Sequence, residues 1–233
     1  KGRASASKYE RKAAMYIKRE LRRSTYKPLV QHFTFEHNNK EYKSQNIICF
    51  YEGNPSSTKH IIIGAHYDHI GYENTSFYPG ANDNASGIAV LIELAKLMQQ
   101  VEVKLNIVFI AFGSEEMGLK GSAYYCKHPI LDLDSSVRMI NLDMLGKMKN
   151  NTLYYQTNSA LILKKQKFHF KKQNIQKYFQ TISLLKKTLY PILYSPQGLL
   201  KTSTQTDDQH SKLNIEGLNK ILEFIMHSIV EIY

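Results

Sequence analysis

Three short apolar runs constrain this chain more than anything else in it: HIIIGAH at 60–66, NIVFIAF at 106–112 and, less continuous, SSVRMINLDM at 135–144. A strand with one wet face alternates apolar and polar residues, so runs that do not alternate belong to strands covered on both faces. Between the first and second lies SGIAVLIELAKLMQQ, where Ile88, Leu91, Ile92, Ala95 and Met98 recur at helical spacing behind Ser86, an expected N-cap. A further helix, SAYYCKH at 122–128, is expected between the second and third. Strands buried on both sides and alternating with helices predict an α/β fold, three-layer α/β/α with a central, largely parallel mixed sheet. In such a sheet ligands bind beyond the strand ends, where the loops gather.

The flanks fit this plan. Residues 6–23 read as an amphipathic helix with Tyr9, Ala13, Tyr16, Ile17 and Leu21 on one face, and SQNIICFYEG at 44–53 reads as a strand. Beyond residue 147 the pattern blurs until YPILYSP, another expected strand. The last helix, EGLNKILEFIMHSIVEIY, packs through Leu218, Ile221, Leu222, Ile225 and Ile229. There is no internal repeat and no linker, and 233 residues suffice for one large domain, expected over 1–233. No apolar run approaches the roughly 20 residues that cross a bilayer, so no transmembrane segment is expected. The opening KGRASASKYERK has neither an initiator Met nor a signal-type apolar region, so location is not legible there. Cys49 and Cys126 are expected as buried free thiols, and no cysteine-based metal motif exists.

The formal charge of +11 is concentrated in one place. Between Asp143 and Asp207 there is no acidic residue, while eleven lysines fall there, from Lys147 to Lys201. Aromatic residues interleave them in KKQKFHFKKQ, so the 147–201 stretch could contact an anionic partner. A solvated lysine-rich face is the favoured reading. No nucleic-acid partner is expected, because no nucleic-acid-binding signature accompanies the charge.

Histidine and acidic residues cluster at the ends of the buried strands. In HYDH, His66 and Asp68 are two apart and leave an extended segment on the same face. A carboxylate so placed can fix a metal-binding imidazole, although a lone histidine at a strand end is more often a hydrogen-bonded structural residue. Asp83 lies in GANDNASG, a string richer in polar residues than a helix cap requires. Glu115 and Glu116 follow NIVFIAF directly; adjacent glutamates alone are usually a solvated loop. Asp143, embedded in MINLDML, must be neutral, paired or metal-bound. Together these bring five carboxylates toward one sheet edge, with only Lys120 and Lys147 near them in sequence. Divalent cations resolve that repulsion, and ligands of histidine and carboxylate type suit zinc.

The order and context of these clusters resemble the zinc aminopeptidase family with two co-catalytic metals, which also contains glutamate carboxypeptidases and glutaminyl cyclases. The strings that carry the resemblance are KGRASASKYERKAAMYI, GAHYDH, PGANDNASGIAVLIELA, VFIAFGSEEMGLKGSAYY and INLDMLG, covering residues 1 to about 147. It implies that His66 and Asp143 bind one zinc, Glu116 binds the other, and Asp83 bridges them. It further implies that Asp68 orients His66, that Glu115 is the general base, and that the substrates are peptides with a free N-terminus. A periplasmic or secreted location is expected from the same resemblance.

One part of the pattern is missing. The family places a further zinc-binding histidine four residues ahead of an aspartate near the C-terminus; that position is Thr204 ahead of Asp208, or Ser203 ahead of Asp207. The family's Ser-Asp-His motif also has no counterpart in QTISLLKKTLYP. His210 could substitute, water could complete a weaker second site, or the chain could be a degenerate, mono-zinc or non-catalytic member with a binding role. Aminopeptidase activity with two zinc ions is the leading expectation, the degenerate binder the alternative, and glutaminyl cyclase activity the least supported.

Overall fold

The structure, a computed structural model, describes residues 2–147, 152–156, 169–172, 192–194 and 206–232. Helix α1 (Lys8–Arg23) leads into strands β1 (Leu29–His37), β2 (Lys40–Tyr51) and β3 (His60–His66), then a small hairpin of β4 (Tyr72–Glu73) and β5 (Ser76–Phe77). Helix α2 (Ser86–Met98), β6 (Asn106–Phe112), α3 (Lys120–Lys127) and β7 (Ser136–Leu142) follow. The chain continues with β8 (Thr152–Gln156), β9 (His169–Lys172), β10 (Ile192–Tyr194) and a last helix, α4 (Ile215–Ile232).

Eight strands form one sheet in the order β1-β2-β6-β3-β7-β10-β8-β9. The central four, β6, β3, β7 and β10, are parallel. Antiparallel pairing of β1 with β2, of β2 with β6 and of β10 with β8 makes the sheet mixed, as predicted.

The unbroken apolar runs have a simple explanation in the packing. Ile61, Ile63 and Ala65 of β3 and Ile107, Phe109 and Ala111 of β6 join Ile17 of α1, Leu91 of α2 and Ile225 of α4 in one cluster. The alternate residues Ile62, Val108, Ile110 and Phe112 enter a second cluster on the opposite face, with Tyr125 of α3 and Met139 of β7. Each fully buried side chain of this kind contributes about 1.5–3 kcal/mol relative to its exposure. Cys49 belongs to the first cluster and Cys126 packs against the second, so the sheet separates the two free thiols. Among the described residues no helix is long and apolar enough to cross a membrane.

Three expectations need correction. Helix α1 starts at Lys8, capped by the Ser7 side chain, and its buried face runs through Glu10, Ala14, Ile17 and Leu21, leaving Tyr16 exposed. Glu10 rotates the helix because its carboxylate is drawn inward by hydroxyl and amide donors. Ser86 lies inside α2, after a kinked turn at Ala81–Ala85 whose backbone is not helical at Asp83 and Asn84, and therefore does not cap it. Strand β1 was not expected, because along 29–37 only Phe33 is buried and the apolar alternation is confined to Phe33 and Phe35. Its hairpin turn is made by Asn38 and Asn39, both at positive φ, a conformation that asparagine tolerates and two-residue hairpin loops require.

Candidate functional site

The site follows from strand register. β3 and β6 pair in parallel without a slip from His60 opposite Asn106 to His66 opposite Phe112, so the two strands end level. β7 pairs with β3 up to Gly64 opposite Asn141, which brings Asp143 out of the sheet beside His66. His66, Asp68, Asp83, Glu115, Glu116 and Asp143 therefore converge at one sheet edge from four separate loops.

Two sets of ligand-type atoms form there, each within 4.8 Å: His66, Asp83 and Asp143, and His69, Asp83 and Glu116. His66 Nε2 lies 3.2 Å from Asp83 Oδ1 and 3.5 Å from Asp143 Oδ1. His69 Nδ1 lies 2.9 Å from Glu116 Oε1 and 4.0 Å from Asp83 Oδ2. The two oxygens of Asp83 thus face two different imidazoles. Asp143 Oδ1, which faces His66 Nε2, is buried without a hydrogen-bond partner, as suits a metal-ligand oxygen. With zinc–ligand bonds of about 2.0–2.2 Å, neighbouring ligand atoms of a tetrahedral site are roughly 3.3–3.6 Å apart. The residues present fit zinc.

The polar string around Asp83 holds it in place. Asn84 donates to the Leu142 carbonyl and accepts from Gly87 N and Met144 N. Asn82 accepts from Gly146 N, while Ser86 Oγ donates to the Asn82 carbonyl and accepts from Leu145 N. The two amides and the serine therefore stitch the Asp83 turn to the segment that carries Asp143. Gly80, at φ +67°, is required by the close approach of the chain; a Cβ there would lie 2.5 Å from both the Asp83 carbonyl and His69 Cδ2. Asp208 closes the turn from the other side, its Oδ2 accepting from Asn82 N (2.8 Å) and Asp83 N (3.1 Å).

Asp68 is fully buried and organises the glutamate loop. Its carboxylate accepts from Glu115 N at 2.9 Å, from Glu116 N at 3.1 Å and from Ser5 Oγ, and lies 3.8 Å from His66 Nδ1. Burial alone would raise its pKa, but His66 and these donors outweigh burial and hold it below the usual carboxylate range. Burial would likewise lower the His66 pKa, yet Glu115, Asp143, Asp68 and Asp83 together hold it well above the usual value. A proton on His66 answers the same negative field that a cation would. Burial, helped by Asp68, Asp143 and Glu116, pushes the Glu115 carboxyl up to about 8 against the opposing pull of His66.

Several contributors were not singled out from sequence. His69 was passed over because the reading of HYDH followed the i, i+2 face of an extended strand. The chain departs from that path beyond β3, where His69 N donates to the Arg3 carbonyl. Arg3, part of the KGRASASKYERKAAMYI string but given no role there, donates to the carbonyls of Tyr67, Pro79, Gly80 and Asp83 and adds a cation to the site. Glu10 accepts from Ser114 N and Ser114 Oγ just ahead of Glu115. His210 is exposed on a short 3-10 turn and belongs to neither set of ligand-type atoms. Thr204, Ser203, the QTISLLKKTLYP segment and most of the lysine-rich stretch lie outside the described residues.

Residues 46–192 match the model of peptidase family M28. Aminopeptidase YwaD of Bacillus subtilis (strain 168) is 42% identical over 120 residues, which is 49% of this chain and 25% of the relative. A probable zinc metalloprotease of Pyrenophora tritici-repentis (strain Pt-1C-BFP) is 38% identical over 111 residues, 44% of this chain and 24% of the relative. The matched stretch thus spans about a quarter of the length of these curated relatives. Among solved structures, the zinc aminopeptidase BSAP from Bacillus subtilis superposes with a TM-score of 0.78 at 17% identity, covering 99% of this chain and 90% of that one. The glutaminyl cyclase of Porphyromonas gingivalis gives a TM-score of 0.75 at 19% identity, covering 100% and 93%. At such identities the likeness establishes the fold.

Proposed function

The chain belongs to peptidase family M28, and from that membership and the site geometry we propose that it is a zinc-dependent aminopeptidase cleaving the first peptide bond of peptides with a free N-terminus. The observation that carries this reading is Asp83, which turns one oxygen toward His66 and the other toward His69 between two further carboxylates. His66, Asp83 and Asp143 would hold one zinc, and Asp83 and Glu116 would contribute to a second. When bound, zinc supplies Lewis acidity, making water more acidic and drawing charge from a carbonyl oxygen.

The chain's own residues supply the rest. Glu115 takes the proton from the attacking water and delivers it to the departing amine, a role that requires a carboxylate able to change protonation state near neutral pH. Burial and the neighbouring carboxylates hold its pKa at about 8, and nearby positive charge would lower it. Asp68 holds the Glu115 and Glu116 amides, and so fixes where that carboxylate points. Glu115→Gln is expected to lower turnover of an aminoacyl p-nitroanilide by at least 10²-fold while zinc content stays unchanged. Full activity in that variant would refute the assignment, and equal cleavage of N-acetylated and free peptides would refute the exopeptidase class.

Thr204 at the family's ligand position favours a second reading, a degenerate member holding one zinc and serving as a binding protein. Elemental analysis separates the two, since the aminopeptidase reading requires two zinc ions per chain. Export to the periplasm or the medium is part of the same proposal and is tested by cell fractionation.

A further inference from the structure

We infer that His69 supplies the imidazole of the second zinc site, in place of the C-terminal histidine that the chain replaces with Thr204. The inference rests on the zinc reading above and concerns only which side chain completes the second ion. His69 is fully buried, and its Nδ1 faces Glu116 Oε1 at 2.9 Å and Asp83 Oδ2 at 4.0 Å. His66 Nε2 stands in the corresponding relation to Asp143 Oδ1 at 3.5 Å and Asp83 Oδ1 at 3.2 Å. Each side of Asp83 therefore offers one imidazole nitrogen, one carboxylate of its own and one oxygen of the shared aspartate. Three protein ligands with a fourth position open is the composition of a catalytic zinc site, so neither side needs a further residue.

The backbone commits His69 to this position. Its N–H is bonded to the Arg3 carbonyl, and the absence of a side chain at Gly80 leaves room for its ring, since a Cβ there would lie 2.5 Å from His69 Cδ2 and 2.6 Å from Cγ. Arg3 in turn ties the carbonyls of Tyr67, Gly80 and Asp83 together, joining the loop that carries His69 to the turn that carries Asp83. His210 is exposed and lies in neither set, so among the described residues His69 is the imidazole that the second set contains.

A 2.9 Å contact between Nδ1 and Glu116 also suits a hydrogen bond that merely orients the glutamate, and the choice of variant separates the two roles. An asparagine amide reaches the Nδ1 position and can donate to Glu116, but it replaces imidazole poorly as a zinc ligand. Zinc per chain and its affinity are measured by equilibrium dialysis for the wild type, His69→Asn, His69→Ala and His66→Ala, with circular dichroism confirming the fold. The expected result is two ions for the wild type and one for both His69 variants, with the second ion weakened more than about 100-fold. That loss exceeds the 10–100-fold typical of a residue that only supports a ligand. Retention of both ions at wild-type affinity in His69→Asn overturns the inference. A wild type with one zinc that His69→Ala leaves untouched overturns it while sparing the first site. No zinc in the wild type overturns the proposed function itself.

Discussion

Removing the Asp208 carboxylate tests whether the site is braced from outside its own ligands. Asp208 is fully buried; its Oδ2 accepts from Asn82 N and Asp83 N at 2.8 and 3.1 Å, and its Oδ1 pairs with Lys147 Nζ at 3.1 Å. In Asp208→Ala two buried amide donors lose their acceptor at about 1–3 kcal/mol each. The Lys147 ammonium, with only 10% of its side chain exposed, also loses this carboxylate. The two amides alone set the expected loss at about 2–6 kcal/mol. Asp208→Asn keeps a carbonyl oxygen for the two amides and removes only the charge, so about 1–3 kcal/mol is expected. Urea unfolding in the presence of a chelator measures both without zinc linkage, and the slope should be unchanged. In a separate titration, Asp208→Ala should weaken both zinc ions together, because the turn it braces carries the shared Asp83. An alanine variant within about 0.5 kcal/mol of wild type, with wild-type zinc binding, refutes the reasoning.

Zinc should stabilise the fold by mass action, by about 2.7 kcal/mol when free zinc is 100 times its dissociation constant; a melting temperature indifferent to zinc and chelator refutes the metal reading. Gly87→Ala should cost about 1–3 kcal/mol, since the new Cβ would lie 2.5 Å from both the Leu142 carbonyl and Asn84 Oδ1; thermal or urea unfolding reads this directly, and no loss would mean the stitching around Asn84 is loose. Burial, reinforced by the Asp68 charge, raises the Glu10 carboxyl from 4.5 to about 7. The folded state then holds the Glu10 proton where the unfolded state has released it, so this contribution to stability falls as pH rises from about 4.5 to about 7. Glu10→Gln removes it, and the stability difference, wild type minus variant, should decline over that window in urea midpoints taken at several pH values; a flat difference refutes the assignment.

The sheet was legible because its strands are buried on both faces, and HIIIGAH or NIVFIAF cannot be satisfied in any half-wet arrangement. The carboxylates were legible for a related reason, since charge at the end of such a strand needs an explanation that sequence alone can demand. Strand β1 was not, because its apolar alternation is only two residues long, Phe33 and Phe35, and just one of them is buried. His69 was hidden by geometry: the chain leaves the sheet after His66, and the strand rule that pairs residues two apart no longer applies. Arg3, Ser5 and Glu10 were hidden by distance, each meeting its partners across more than thirty residues of sequence. The helix carrying Glu10 looked like an ordinary amphipathic element, and its buried acid reads as a surface residue until Ser44 and Ser114 are placed beside it.

The concentration of acid at one sheet edge is eased because two of its carboxylates, Asp68 and Asp208, are already committed to hydrogen bonds. Asp68 spends both oxygens on the Glu115 and Glu116 amides, and Asp208 spends one on the Asn82 and Asp83 amides. Those carboxylates fix backbone, and the loops they fix present Asp83, Glu115 and Glu116. What remains is the repulsion among Asp83, Asp143 and the two glutamates, which raises the His66 pKa well above its usual value and pushes the Glu115 carboxyl up to about 8. Both shifts express a local concentration of negative charge that a cation would offset. The acidic groups concerned lie within residues 2–143 and at Asp208, outside the acid-free stretch where the chain departs from its family pattern. Divergence there leaves intact the framework that holds Asp83 between two imidazoles.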